Sequence, residues 1–276
     1  MHYGGNAPAP ASCLLQHRPG RQERMSNFLA DPREPREPAV ATAVFRIARS
    51  RPGSPDPAWR EYEVPLKGHT VVLDALEWIR SRVDNTLLYR HSCHHGSCGT
   101  CGMVINGEHA LSCTTNVMDL LEKSREAGGP PTVVVEPLPT MNLIADLAVD
   151  PAPLFRDFPA GAGYLRESEF NRGSEVPREI ERFVRFENCI ECGLCVAACP
   201  VVRIRDFMAP AALAAYNREI GKNPDRAAEL LGEVDSDRGV WGCDRHLECS
   251  RVCPTGVYPA KHIVELQRRI KKSREA

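Results

Sequence analysis

From Val40 onward the chain alternates apolar and polar residues in two short runs, VFRIARS and REYEVPL, separated by a Pro-Gly-Ser-Pro stretch. A period of two turns one face of each run inward, so the pair predicts a hairpin with a long loop. The period then lengthens. In VVLDALEWIRSRV the apolar residues recur at helical spacing, and Thr70 just ahead of them predicts an N-cap. A cysteine- and glycine-rich loop follows, then MVINGEHALS with Asn106-Gly107 as a turn signal, and later the β-branched run TVVVEPL. Together these elements predict a small sheet wrapped around one helix.

After about Thr140 the two-residue period stops. IERFVRF, APAALAAYNREI, DRAAELLGEV and YPAKHIVELQRRIKK all read as helices, with cysteine–proline segments between them. A sheet-rich half and a helical half define an α+β chain. The change falls within 139–148, which gives domains at 39–145 and 146–276. Residues 1–38 are rich in Pro, Arg and Gly, end in DPREPREP and carry no apolar period. They are expected to form a disordered tail, with Met25 as a second candidate start.

The chain has 276 residues and a net charge of -1, so no global charge directs it to nucleic acid. No apolar run is long enough to span a bilayer, and the first residues lack the apolar core of a secretion signal. A reducing compartment follows as the expectation, and there the twelve cysteines are metal ligands rather than disulfides. Cys13 lies in the tail, apart from the rest.

The other eleven cysteines fall into three groups. Cys93-x4-Cys98-x2-Cys101, followed by Cys113, has the plant-type [2Fe–2S] spacing. Its surroundings, CHHGSCGTCG, supply the glycines that let three thiolates of one loop converge. Backbone N–H groups freed in such a loop tune a cluster by pointing at its sulfurs. Four cysteines also suit zinc, but zinc pairs come as two C-x2-C knuckles, and this loop is not one. Cys189-x2-Cys192-x2-Cys195-x3-Cys199-Pro200 is the bacterial ferredoxin run, whose fourth cysteine serves the other cluster of a pair.

The partner run reads Cys243-x2-His246-x2-Cys249-x3-Cys253-Pro254, the same pattern with one substitution. Crossed ligation gives Cys189, Cys192, Cys195 and Cys253 to a [4Fe–4S] cluster. Cys199, Cys243 and Cys249 remain, a three-thiolate set that suits [3Fe–4S]. Imidazole can also ligate a cluster iron, so His246 is either the fourth ligand of a second [4Fe–4S] cluster or a neighbour that donates a hydrogen bond or proton. His94 and His95 flank a complete set and read as surface or subunit-interface residues. His91, His109 and His262 carry no readable signal.

These groups, in this order, resemble the iron–sulfur subunit of succinate dehydrogenase and fumarate reductase. The likeness runs from about Val40 to Val264 and takes in VVLDALEWI, MVINGEHALSCTT and NLIADLAVD. It implies an N-terminal β-grasp plant-type ferredoxin domain followed by an α-helical bacterial-type one. It also implies a place between an FAD-containing flavoprotein and a quinone-binding membrane anchor, with electrons passed singly through three clusters. The location implied is the cytoplasmic face of the inner membrane, with no substrate site in this chain. In commoner members a tryptophan and a histidine beside the last cluster help form the quinone site. Here Ile204 and Asp244 hold those places, which predicts a different anchor arrangement.

Other functions fit the sequence less well. A heterodisulfide-reductase-like subunit shares the paired runs but not the [2Fe–2S] domain ahead of them. Free ferredoxins are small and strongly acidic, whereas this chain is long and near neutral. An iron–sulfur sensor or zinc scaffold would differ in metal content. The direction, succinate oxidation or fumarate reduction, is not written in the sequence. Arg268, Arg269, Lys271, Lys272 and Arg274 complement a helix C-terminus, or alternatively an anionic lipid surface.

Overall fold

The computed structural model describes residues 39, 41–53, 57–160 and 188–275. The tail with Cys13 and Met25, residues 54–56 of the first loop and the predicted helix IERFVRF lie outside the described residues.

Strands β1 (Ala41–Arg49) and β2 (Ala58–Leu66) pair antiparallel, Phe45 opposite Tyr62. Alternation does what the sequence predicts: Ala43, Phe45 and Ile47 of β1 and Tyr62, Val64 and Leu66 of β2 are buried. Helix α1 (Val72–Arg82) crosses the sheet and buries Val72, Leu73, Ala75, Leu76 and Ile79. Its start differs from the expectation. Val71 is the N-cap residue and Asp74 accepts its N–H at 3.0 Å, while Thr70 is buried and its hydroxyl accepts the Lys67 amide at 2.8 Å. Thr70 closes the preceding turn rather than the helix.

Strands β3 (Gly102–Ile105) and β4 (Glu108–Leu111) form the predicted second hairpin. Asn106 and Gly107 turn it with φ of 48° and 80°, the left-handed pair that a tight hairpin requires. After α2 (Val117–Glu126), β5 (Thr132–Glu136) inserts between β1 and β3, parallel to the first and antiparallel to the second. The sheet order is β2-β1-β5-β3-β4 around α1, a β-grasp.

The β signal does not end at Thr140. Strands β6 (Asn142–Ala145) and β7 (Ala148–Asp150) make a small hairpin turned by Asp146, which takes φ of 51°. The Asp146 carboxylate is fully buried. It lies 3.0 Å from Arg49, the last residue of β1, and 2.8 Å from Arg51 just beyond it, and accepts the Leu88 amide at 3.0 Å. It therefore ties this hairpin to the sheet and to the segment leading into the first cysteine loop.

The rest is helical: α3 (Ala152–Phe155), α4 (Leu194–Ala197), α5 (Pro200–Ile204), α6 (Pro210–Lys222), α7 (Ala227–Val234), α8 (Glu248–Arg251) and α9 (Pro259–Glu275). Leu213, Tyr216 and Ile220 of α6, Leu230 and Val234 of α7, and Ile263, Leu266 and Ile270 of α9 share one apolar core. Burying each large side chain contributes about 1.5–3 kcal/mol. That core fixes the stems of the two short cysteine runs, which are themselves too short to be stable alone. Among the described residues no helix is long and apolar enough to cross a membrane.

Candidate iron–sulfur centres

The eleven cysteines among the described residues form no disulfide with one another. They gather into three sets. The first surrounds the loop between α1 and β3, with Cys113 brought back beneath it by the β3–β4 hairpin. Cys101 and Cys113 are buried, while Cys93 and Cys98 are half-buried. Amides of Ser97 and Cys98 donate to the Cys93 sulfur, each at 3.3 Å, and the Cys93 amide donates to the Cys98 sulfur at 3.5 Å. Burial works against ionising Cys93, but hydrogen bonds from Ser97 and the His95 and Cys98 amides outweigh it and bring the thiol down to about 5. Burial first, and then the adjacent Cys101 thiol, push Cys113 up to about 12. His94 and His95 are exposed.

The second and third sets come from two copies of one backbone loop. Glu191 and Gly193 take φ of 53° and 75°; Arg245 and Leu247, at the equivalent positions, take 61° and 64°. Each loop leads into a one-turn helix, α4 or α8, that begins at the residue before its third ligand-spaced cysteine. A leucine in the left-handed region costs about 1–2 kcal/mol, so the repeat is held against local preference. His246 thus occupies the backbone station that Cys192 occupies in the other copy.

Cys189, Cys192, Cys195 and Cys253 line one apolar cavity together with Leu154, Ala211, Ala214 and Val257. Cys199, Cys243 and Cys249 line another with Val201, Phe207, Ile263 and His246. Burial, then the surrounding thiols, raise Cys195 well above its ordinary value and Cys192 to about 12. Cys249 rises to about 11, again by burial first. Thiols so placed are stable as thiolates only beside compensating positive charge, which cluster irons supply. The donor sets, four, four and three sulfurs, the second of them in a largely apolar cavity, fit [2Fe–2S], [4Fe–4S] and [3Fe–4S] groups.

The three sets touch in sequence. Gly99, in the first loop at φ 71°, lies so close to the second that a Cβ would stand 2.3 Å from the Ile190 carbonyl oxygen and 2.9 Å from Cys192 Cα. Helix α4, which carries Cys195, packs in turn against α8, which carries Cys249 of the third set. This proximity between loops almost a hundred residues apart has no signal in the linear spacing.

Beside the third set, Ile204 is 74% exposed, and Asp244 accepts a hydrogen bond from Arg205 at 2.6 Å. His246 is exposed. His262 is buried and its ring meets Asn217 at 3.0 Å, a core histidine. The C-terminal cations are partly engaged within the fold. Arg269 pairs with Glu265 at 3.0 Å, Arg274 pairs with Asp235 at 2.7 Å, and Arg274 and Lys271 lie over Trp241.

A β-grasp half with one four-cysteine centre, joined to a helical half with two crossed centres, defines a multi-cluster electron-transfer protein. The sequence profile of the 2Fe-2S iron-sulfur cluster binding domain matches residues 42–156, and that of the 4Fe-4S dicluster domain matches residues 185–257. The fumarate reductase iron-sulfur subunit of Mycobacterium tuberculosis is 36% identical over 225 residues, covering 79% of this chain and 88% of that one. The mitochondrial succinate dehydrogenase [ubiquinone] iron-sulfur subunit 1 of Oryza sativa is 30% identical, covering 80% of each. A chain of the Mycobacterium smegmatis Sdh1 complex has the same fold, with a TM-score of 0.68 at 24% identity, covering 86% of this chain and 99% of that one. The chain belongs to the family of succinate dehydrogenase and fumarate reductase iron–sulfur subunits, and so forms part of an oxidoreductase that carries [2Fe–2S], [4Fe–4S] and [3Fe–4S] clusters.

Proposed function

We propose that the chain conducts electrons between a flavoprotein and a membrane anchor in a succinate:quinone oxidoreductase, working in the direction of succinate oxidation. The domains are 39–145 and 146–276. Cys93, Cys98, Cys101 and Cys113 hold the [2Fe–2S] cluster; Cys189, Cys192, Cys195 and Cys253 hold the [4Fe–4S] cluster. Cys199, Cys243 and Cys249 hold the [3Fe–4S] cluster, with His246 a neighbour and not a ligand. When bound, the clusters accept and release single electrons, which divides the pair that flavin takes from succinate.

The observation that carries this reading is the succession of sets through the close approach of Gly99 to Cys192 and the packing of α4, which carries Cys195, against α8, which carries Cys249. The chain's own groups serve the transfer by fixing and tuning. The Ser97 and Cys98 amides aim positive dipole ends at the Cys93 sulfur and favour added negative charge there. Leu154, Ala211, Ala214 and Val257 exclude water from the second set, which limits solvent reorganisation. Arg205 holds Asp244 at the outer edge of the third set. With Ile204 projecting beside it, this edge is where we place the anchor, on the cytoplasmic face of the inner membrane. Quinone is expected to bind away from Asp244 and Ile204; quinone found directly against those two residues in a structure of the complex would contradict that.

The test is reduction of the native complex by succinate, followed by electron paramagnetic resonance. Signals of reduced cluster in this chain after succinate support the proposal, whereas reduction by dithionite alone contradicts it. The names of the bacterial relatives favour the opposite direction, fumarate reduction. Comparing rates with a quinone and with a quinol as partner separates the two.

A further inference from the structure

We propose that Glu77, His91 and His94 form a binding site for a divalent transition cation of the zinc class, beside the first cysteine loop and separate from the cluster ligands. One donor atom from each residue converges. His91 Nδ1 and His94 Nε2 are 3.1 Å apart, and Glu77 Oε1 lies 3.6 Å from the first and 3.5 Å from the second. The two ring nitrogens are within hydrogen-bond distance of each other, while both carboxylate distances exceed ordinary hydrogen-bond lengths, so the Glu77 oxygen faces the imidazole pair across a gap. A point about 2 Å from all three exists at its centre, the length of a Zn–N or Zn–O bond. Three donors separated by about 3.4 Å are one face of a tetrahedron around such an ion, leaving a fourth position open.

The donors are held by different supports. Glu77 is on α1, whose inner face is locked in the sheet core. The His91 ring packs on Tyr89 with centroids 5.3 Å apart, and Tyr89 is buried. His94 is aimed by a left-handed backbone, φ 60°, immediately after Cys93. Two imidazoles and one carboxylate match zinc and its neighbours in the first transition row, and do not match calcium or magnesium, which take oxygen. Occupied, the site would clamp the loop carrying Cys93 to α1 and add positive charge next to it.

The experiment is equilibrium dialysis of the full-length, cluster-loaded chain against Zn²⁺, with zinc and iron both measured. The expected result is one zinc per chain with no loss of iron. Glu77→Gln should weaken binding by at least about 10-fold, since losing a ligand costs no less than losing a group that merely orients one, and a His91→Ala/His94→Ala double variant should abolish it. His69→Ala, at an exposed histidine ahead of α1, should leave it unchanged. An unaltered [2Fe–2S] visible spectrum shows that each variant is folded. Zinc uptake equal in wild type and double variant, zinc uptake matched by iron release, or no uptake at all would overturn the proposal.

Discussion

Replacing Gly99 by alanine tests whether the first and second cysteine loops are packed as tightly as the structure places them. Two costs apply. Gly99 has φ of 71°, where a Cβ is disfavoured by about 1–2 kcal/mol. The new Cβ would also meet the Ile190 carbonyl oxygen at 2.3 Å, when ordinary contact begins at 3.4 Å. The loops must part by about 1 Å or distort, and overpacking of that kind costs about 1–3 kcal/mol. Gly107 supplies the control. Its φ is 80°, yet nothing lies within 4 Å of where its Cβ would be, so Gly107→Ala carries the backbone cost alone. The difference between the variants is about 1–3 kcal/mol, or about 2–12 °C in apparent melting temperature at 2–4 °C per kcal/mol. Circular dichroism of the cluster-loaded chain at one fixed scan rate reads it, with iron content measured alongside, because unfolding with cluster loss is not reversible. Electron passage from the first to the second centre should slow in Gly99→Ala and not in Gly107→Ala. Equal losses at the two glycines would refute the reasoning, since they share the strain and differ only in the neighbour.

Other outcomes follow from the same geometry. His246→Cys restores a thiol at the station matching Cys192, so the third site should take up one more iron and lose its air-oxidised paramagnetic signal; an unchanged signal would show that the repeat does not direct assembly. Asp146→Ala removes one of the two carboxylates on buried Arg49, leaving Asp84, and frees the Leu88 amide; it should cost about 1–3 kcal/mol, read as a lowered melting temperature in the cluster-loaded chain. Asp84 is held below the usual carboxylate range by hydrogen bonds from Thr86, against an opposing effect of burial, with help from Tyr62 and Arg49. A depressed carboxylate contributes stability that is fully present above its unfolded value near pH 4 and is lost as pH falls through the folded value. Acid unfolding of Asp84→Asn should therefore lack this part of the decline below about pH 4, while wild type keeps it.

Much of this was legible from residues alone, for identifiable reasons. Cysteine spacing is local, and a strand or helix period is local, so β1, β2, α1 and the Asn106-Gly107 hairpin follow from their own segments. The β6–β7 hairpin escaped because its strands are only four and three residues long and its turn is marked by a lone Asp146 with no glycine beside it. Thr70 looked like a cap because a threonine before an apolar helix usually is one; here the Lys67 amide claims its hydroxyl first. The closeness of Gly99 to Cys192, and of Glu77 to His91 and His94, arises only once the chain has folded. His246 could be aligned with Cys192 by counting, but the shared left-handed backbone that puts them at the same station is a property of the fold.

The central claim, three centres held by four, four and three thiolates, is tested most directly by electron paramagnetic resonance of the air-oxidised protein with its iron counted. An oxidised [3Fe–4S] cluster carries an unpaired electron, while oxidised [2Fe–2S] and [4Fe–4S] clusters are silent. The account predicts about one spin and about nine irons per chain. A silent spectrum with about ten irons would contradict it and make His246 the fourth ligand of the third centre.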